Sequence, residues 1–190
     1  LSRRQRQMCI RDRQYAVKAF ELHATGYLMK PVTAEDIRRE LTFLYKDSGR
    51  DKRVRVQTFG GFDVFVDGKP LEFKRSKSKE LLAYLIDRHG ANVTTGELCA
   101  ALWEDEMGGA GQKSYLRTLL SDLRASLRRA GAGEILRKGF DSVAIVPELL
   151  DCDSYRFLEG DLQAVNSYRH DYLPAYSWAE FSVAALEERL

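Results

Sequence analysis

Between Gln112 and Gly139 the chain carries Lys113, Arg117, Arg124, Arg137 and Lys138, with Ser114, Tyr115, Thr118 and Ser121 interleaved. Guanidinium forks and hydroxyls in this pattern can make charge-assisted hydrogen bonds to phosphate oxygens and bidentate bonds to the edges of bases. No other constellation in the chain offers comparable chemistry. His23, His89 and His170 are scattered, with neither metal-ligand spacing nor a nucleophile beside them, and Gly60-Gly61 lies within strands rather than before a helix, so it is not a phosphate-cradling loop. No catalytic residue, metal site or cofactor is expected, and the chain reads as a non-enzyme.

The positioning elements follow from hydrophobic period. In QKSYLRTLLSDLRASLRRAG, Leu116, Leu119, Leu120, Leu123 and Leu127 recur at helical spacing and bury one face, leaving Lys113, Arg117, Ser121, Arg124 and Arg128 in water. The segment EILRKGFDSVAIVP then reads as a hairpin with Arg137 and Lys138 before its tip at Gly139. A basic helix beside a two-stranded ribbon suits a helix in a DNA major groove with a wing on the backbone.

At 190 residues, 44% hydrophobic and 31% charged, the chain is long enough for one or two globular domains. Its net charge of +2 is uneven: from Glu148 onward nine acidic residues face three Arg, so the remainder is correspondingly basic. Cys9, Cys99 and Cys152 have no ligand-like spacing and indicate neither a disulfide framework nor zinc. No apolar run reaches the roughly 20 residues of a membrane span and no signal peptide is legible, so a cytoplasmic protein without membrane partners is expected.

Residues 1–14 open with LSRRQRQMCIRDR, five Arg without lasting periodicity, and are expected to be a disordered or non-native basic end. From Tyr15, the residues Ala16, Val17, Phe20 and Leu22 to Ala24 read as helix. Gly26 ends that helix, Tyr27 to Lys30 reads as a short buried strand stopped by Pro31, and Thr33 with Asp36 caps a second helix carrying Ile37, Leu41 and Leu44. The string A-x-x-A-F-x-x-x-A-x-G-Y-L-x-K-P-V resembles the last third of a response-regulator receiver domain. The resemblance implies that residues 15–46 are the carboxyl-terminal remnant of an α/β receiver. It assigns Lys30 to the phosphoryl group, and Tyr27 to the aromatic whose rotamer reports phosphorylation. The phosphoacceptor Asp and the acidic metal-holding pair belong to the family's first two thirds, so this chain is expected to hold no phosphoacceptor, and a sensor kinase would concern a full-length parent only. Residues 47–53, with DSGRDKR, read as a linker.

Val54 to Phe73 alternates apolar and polar residues in runs broken at Gly60-Gly61 and Asp67-Gly68, the latter a two-residue hairpin signal. A small antiparallel sheet is expected. Next come a helix with Leu81, Leu82, Leu85 and Ile86 inward and Gly90 at its end, then a second helix opened by a Thr94–Glu97 capping box and anchored by Leu98, Leu102 and Trp103. The strings FGGFDVFVDGKPLEFKRSKSKELLAYL, LCAALW and LxxLLSDLRASL, in this order, resemble the OmpR/PhoB-type DNA-binding domain of bacterial activators of the antibiotic-regulatory-protein type. That resemblance covers residues 54–147 and implies a recognition helix at Gln112 to Arg129 and a wing at Leu136 to Val146. Arg117, Thr118, Ser121 and Arg124 would meet base edges. Lys113, Ser114 and Tyr115 would meet phosphates, and Arg137 and Lys138 the phosphates or the minor groove. Asp122 faces partly outward and must be held off the backbone; Arg128 and Arg129 favour the helix carboxyl end. Lys74, Arg75, Lys77 and Lys79 form a second basic cluster, open to backbone contact or to solvation.

Residues 148–190 are helical and aromatic in pattern, with Tyr155, Phe157, Leu158, Leu162, Val165, Tyr168, Tyr172, Leu173, Trp178 and Phe181 too large a set for one helix to hide. The string D-x-Y-x-F...A-V-x-x-Y-R-x-D-Y-L-P-x-Y-x-W-A-E resembles the opening of the tetratricopeptide-like bacterial transcriptional activation domain. Stacked repeats need about three units to bury a core, so this piece docks on the winged helix or dimerises. The expected class is α+β: a winged helix-turn-helix with an N-terminal antiparallel sheet, an α/β receiver remnant before it and a short helical tail after it. The expected function is sequence-specific transcription regulation within a two-component system. Double-stranded DNA is the partner, read as a homodimer, with RNA polymerase as a further one. The alternative is a protein-interaction or dimerisation module.

Overall fold

The structure, a computed structural model, describes residues 32–35, 52–103 and 110–188. The chain divides into two units, Leu1–Asp51 and Lys52–Leu190. In the first, Ala34 and Glu35 are helical after an exposed Val32 and Thr33; Tyr27 and Lys30 lie outside the described residues. All that follows concerns the second unit.

Strands β1 (Val54–Gln57), β2 (Asp63–Val66) and β3 (Lys69–Pro70) form an antiparallel meander. Alternation directs Val54, Val56, Val64 and Val66 to the core, all at most 5% exposed, while Arg55 and its cross-strand partner Phe65 share the other face with the guanidinium 4.2 Å from the ring centroid. The β2–β3 turn places Asp67 at φ 49° and Gly68 at φ 76°, the two positive angles that a tight right-twisted hairpin requires. Arg53 clamps this turn: its Nε and Nη2 donate to the Asp67 carboxylate at 3.0 and 2.8 Å, and its Nη1 to the Gly131 carbonyl at 3.2 Å.

Three helices form the centre: α1 (Ser76–Asp87), α2 (Thr95–Leu102) and α3 (Ala110–Arg129). Leu81, Leu82, Leu85 and Ile86 of α1 meet Leu98 and Leu102 of α2 and Leu116, Leu119, Leu123 and Leu127 of α3, each no more than 3% exposed. Burying one such side chain contributes about 1.5–3 kcal/mol, so this cluster dominates the stability of the helical layer. The capping box is present: the Thr94 hydroxyl accepts from Glu97 N at 3.2 Å, and a Glu97 oxygen accepts from Thr94 N at 3.4 Å. Gly90 ends the α1 region at φ 84°, where a Cβ would stand 2.7 Å from the Pro147 ring, so both the backbone angle and the packing demand glycine.

A second sheet, ordered β4-β6-β5, joins β4 (Val93–Thr94), β5 (Leu136–Lys138) and β6 (Ser142–Ile145), all antiparallel. The hairpin expected at Leu136 to Val146 is thereby stapled to the strand that leads into α2, which fixes its tilt relative to the helices.

The first sheet is not purely antiparallel. Strand β7 (Leu150–Cys152) pairs in parallel with β1, Val54 opposite Leu150 and Val56 opposite Cys152. Leu150 and Cys152 point inward at 2% and 1% exposure, so the strand completes the buried face. Three residues are too short to announce a strand by alternation, and a parallel partner requires a long crossover, here the whole helical core.

That strand ties down everything after it. Asp153, the first residue of α4 (Asp153–Leu158), accepts from Thr58 N at 2.9 Å, Thr58 Oγ1 at 2.5 Å, Phe59 N at 3.0 Å and its neighbour Ser154 N at 2.8 Å. Helices α5 (Leu162–Ser167) and α6 (Glu180–Glu187) follow. Phe59 packs on Phe157, Tyr168 and Tyr172 at centroid distances of 5.9, 4.9 and 6.4 Å, and Trp178 meets Tyr84 edge-on at 5.1 Å. Tyr155 donates to the Ile86 carbonyl at 2.6 Å and Tyr172 to the Asp87 carboxylate at 2.8 Å. Docking on the first sheet and the helical core covers most of the tail's aromatics, while Leu162 and Phe181 stay 68% and 88% exposed.

Candidate nucleic-acid interface

Helix α3 presents its cations because its leucines are fixed inward. Leu120, at the edge of the stripe, is half-buried, and the opposite side carries Lys113, Ser114, Arg117, Thr118 and Ser121 exposed, with Arg124 half-exposed. Thr118 donates back to the Ser114 carbonyl at 3.3 Å, which occupies its hydroxyl proton but leaves its oxygen open as an acceptor. Tyr115, 42% exposed, tilts against Trp103 at 5.9 Å, and Lys77 lies 5.9 Å from the same indole. Trp103 thus anchors the aromatic near the start of α3 as well as the end of α2.

From the other side comes the β5–β6 hairpin. Arg137 and Lys138 are exposed on β5, and the turn Gly139–Asp141 closes through Gly139 N donating to the Ser142 carbonyl at 2.8 Å. Thr95 at the start of α2 grips this turn twice: its Oγ1 donates to Asp141 Oδ1 at 2.7 Å and its N to the Asp141 carbonyl at 3.2 Å.

Helix and hairpin enclose a groove of ≈ 290 Å³ lined by Arg117 and Arg124 from α3, Lys138 from β5 and Phe140 from the turn. Among the described residues none of these three cations is ion-paired, and the one acid on the lining, Asp141, is engaged by Thr95. Lys113, Ser114, Tyr115, Thr118 and Ser121 share the outer face of α3 without lining the groove, and Arg137 stands on β5 outside it. A larger groove of ≈ 400 Å³, between the β2–β3 hairpin and the end of α3, sets Asp67 and Glu72 against Lys69 and Arg129 and so has no bias for an anion.

Two expectations change. Asp122 is partly outward, its side chain 17% exposed, but it is ion-paired with Arg75 at the N-cap of α1, so its charge is compensated within the protein. The second basic cluster is largely neutralised for the same reason that its residues sit near acids in space. Arg75 is held by Asp122, Lys77 by Glu80 at 2.9 Å and Lys79 by Asp63 at 2.6 Å, leaving Lys74 exposed beside them. At the end of α3, Arg128 Nε donates to the Arg124 carbonyl at 3.3 Å and Arg129 Nη2 to Ser126 Oγ at 3.1 Å, as cations near a helix carboxyl terminus do. Phe140, the residue at the centre of the turn, escaped the reading of charges altogether; an aromatic between Gly139 and Asp141 at a hairpin tip was its signal.

No protein-family model matches the chain, and no curated protein sequence does so significantly. Among solved structures, Mycobacterium tuberculosis EmbR, in complex with a low affinity phosphopeptide, is similar to it with a TM-score of 0.58 and 22% identity, over 73% of this chain and 42% of that one. The response regulator DrrB, a Thermotoga maritima OmpR/PhoB homolog, aligns over 70% of this chain and 61% of its own at 22% identity and a TM-score of 0.38. The chain therefore spans less than half the length of EmbR, and what it shares with EmbR is the fold, a mixed α+β arrangement.

Proposed function

We propose that the chain is a DNA-binding transcription regulator that sets α3 in the major groove and the β5–β6 wing on the adjoining backbone or minor groove. The observation that carries this reading is the convergence of Arg117, Arg124 and Lys138, from two separate elements, on one groove without an ion-pair partner among the described residues. Between Gln112 and Gly139 the sequence holds seven basic residues and two acidic ones, and the acid on α3 is internally neutralised by Arg75. Phosphate contacts supply most of the affinity of such a face and base contacts its sequence choice. Arg117, Thr118, Ser121 and Arg124 are the base-reading set; Lys113, Ser114, Tyr115, Arg137 and Lys138 the positioning set.

The finer parts of the reading rest on resemblance. The GYLMKPV segment supports membership of a phosphorelay in a longer parent, whose sensor kinase would act on a receiver that this chain carries only in part. The docked tail supports the start of an activation domain that meets RNA polymerase. Homodimeric binding in the cytoplasm completes the proposal, with no cofactor and no enzymatic step.

The test is anisotropy titration of the chain against duplexes enriched from a random-sequence library. About five phosphate contacts give a slope near −4.5 in log affinity against log salt, a fall of roughly 500-fold between about 50 and about 200 mM salt. Affinity that ignores salt, or no duplex binding at all, overturns the reading in favour of a protein-interaction module.

A further inference from the structure

We propose that Phe140 is an apolar wedge that enters the minor groove and opens a deformable base step, so that the wing selects DNA by how readily it bends. This rests on the DNA reading of the same face and adds a readout that charge alone does not supply. Phe140 is 107% exposed, an extreme for an aromatic side chain. The backbone around it is nonetheless held firmly: Gly139 N bonds the Ser142 carbonyl, and Thr95 grips Asp141 through both its hydroxyl and its amide. A fixed turn that thrusts a phenyl ring into solvent has the form of an inserted side chain rather than of a frayed loop.

Its neighbours say what it is thrust towards. Phe140 lines the groove with Arg117, Arg124 and Lys138, and the carboxylate beside it is turned onto Thr95. Cations suited to DNA, Lys138 for the phosphates and Arg117 and Arg124 for base edges, therefore stand beside the ring. A protein partner is the weaker fit: one phenyl offers ~200 Å² of apolar area, against the roughly 1,200–2,000 Å² that a specific protein interface buries, and Lys138 and Asp141 interrupt any larger patch. DNA-bending proteins, by contrast, work with single apolar wedges placed between base steps. Pyrimidine–purine steps unstack most easily, so they are the steps such a wedge selects.

The experiment uses the whole chain and the enriched duplexes, with 2-aminopurine placed at successive positions beside the α3 site and end-label energy transfer to read bending. The parent raises 2-aminopurine emission at one step and bends the duplex by about 20–90°. Phe140→Ala abolishes both signals and weakens binding by about five- to hundredfold, while the salt slope stays that of the parent because no charge is lost. Phe140→Leu keeps most of the bend. Replacing a TA step by a stiff A-tract weakens the parent but not Phe140→Ala. Identical bending, emission and affinity in parent and Phe140→Ala overturn the wedge and leave the DNA reading intact; a parent chain that binds no duplex overturns both.

Discussion

Arg75 and Asp122 form an ion pair that joins the N-cap of α1 to the middle of α3, with side chains 35% and 17% exposed. Asp122 is the only acid on α3, so the pair both crosslinks two helices and removes the one negative charge from the basic element. The two partners are not equivalent when deleted. Arg75→Ala leaves a mostly buried carboxylate uncompensated on the helix that carries the exposed cations, whereas Asp122→Ala leaves a guanidinium that can reach solvent. Arg75→Ala is expected to lower stability by about 1–2 kcal/mol, some 3–6 °C in Tm, and to weaken DNA binding. Asp122→Ala is expected to lose less than about 1 kcal/mol and to bind DNA as tightly as the parent or tighter. Thermal melting paired with anisotropy checks this; equal DNA affinities for the two variants contradict it.

Arg117, Arg124 and Lys138 share one groove but are given different tasks. Removing a phosphate-contacting cation lowers the magnitude of the salt slope by about one and weakens all sequences alike, while removing a base-reading arginine costs about 1–3 kcal/mol mainly on the preferred site. Lys138→Ala is thus expected to change the slope, and Arg117→Ala and Arg124→Ala to flatten sequence preference. Affinities for preferred and scrambled duplexes at several salt concentrations separate the two; an Arg124→Ala chain with undiminished preference removes Arg124 from the base-reading set.

Asp153 holds the tail to the first sheet. Its carboxylate accepts from two backbone amides and a hydroxyl across the Thr58–Phe59 segment, and Thr58 is 0% exposed, so these donors are turned away from bulk water. Asp153→Ala orphans these donors at about 1–3 kcal/mol each, and a loss of at least about 2 kcal/mol is expected. The urea midpoint should fall with the slope of unfolding unchanged. A midpoint equal to the parent's would mean that β7 and the aromatic contacts hold the tail without this carboxylate.

High pH should unfold the chain through the same seam. Burial pushes the Cys152 thiol up to about 12, aided by the negative charge of Asp153, and pushes the Tyr155 and Tyr172 phenols well above their ordinary value. These folded-state values lie above the unfolded ones, so the groups contribute stability that is fully present below about pH 9 and is lost as pH climbs past it. The unfolded chain sheds these protons first, and unfolding is drawn forward. Urea midpoints at neutral pH and near pH 10.5 check the sign; Tyr172→Phe should reduce the loss. For the same reason a thiol reagent at mildly alkaline pH should modify Cys152 only as fast as the protein opens.

Local chemistry was legible wherever one stretch of chain carries its own cause. Leu116, Leu119, Leu123 and Leu127 bury fully because helical period alone puts them on one face. The Thr94–Glu97 box closes within one turn, and Asp67-Gly68 bends because its two residues tolerate positive φ. The outward cations of α3 follow as the complement of its leucine stripe. What escapes a linear reading are relationships between distant segments: Arg75 stands against Asp122, and Asp63 against Lys79, so an acid that reads as a nuisance to phosphate and a cluster that reads as basic largely cancel one another.

By itself, then, the sequence determined the helices, the caps, the hairpins and the basic face, since each depends on side chains within a turn or two of one another. Only the tertiary structure decided that Leu150–Cys152 adds a parallel strand to β1, that Asp153 and the tail aromatics lock onto the helical core, and that Arg117, Arg124, Lys138 and Phe140 meet at one groove. Those outcomes depend on which surfaces the chain brings together when it closes long loops to bury apolar area and satisfy buried polar groups, and a period counted along one segment carries no record of the segment that it will touch.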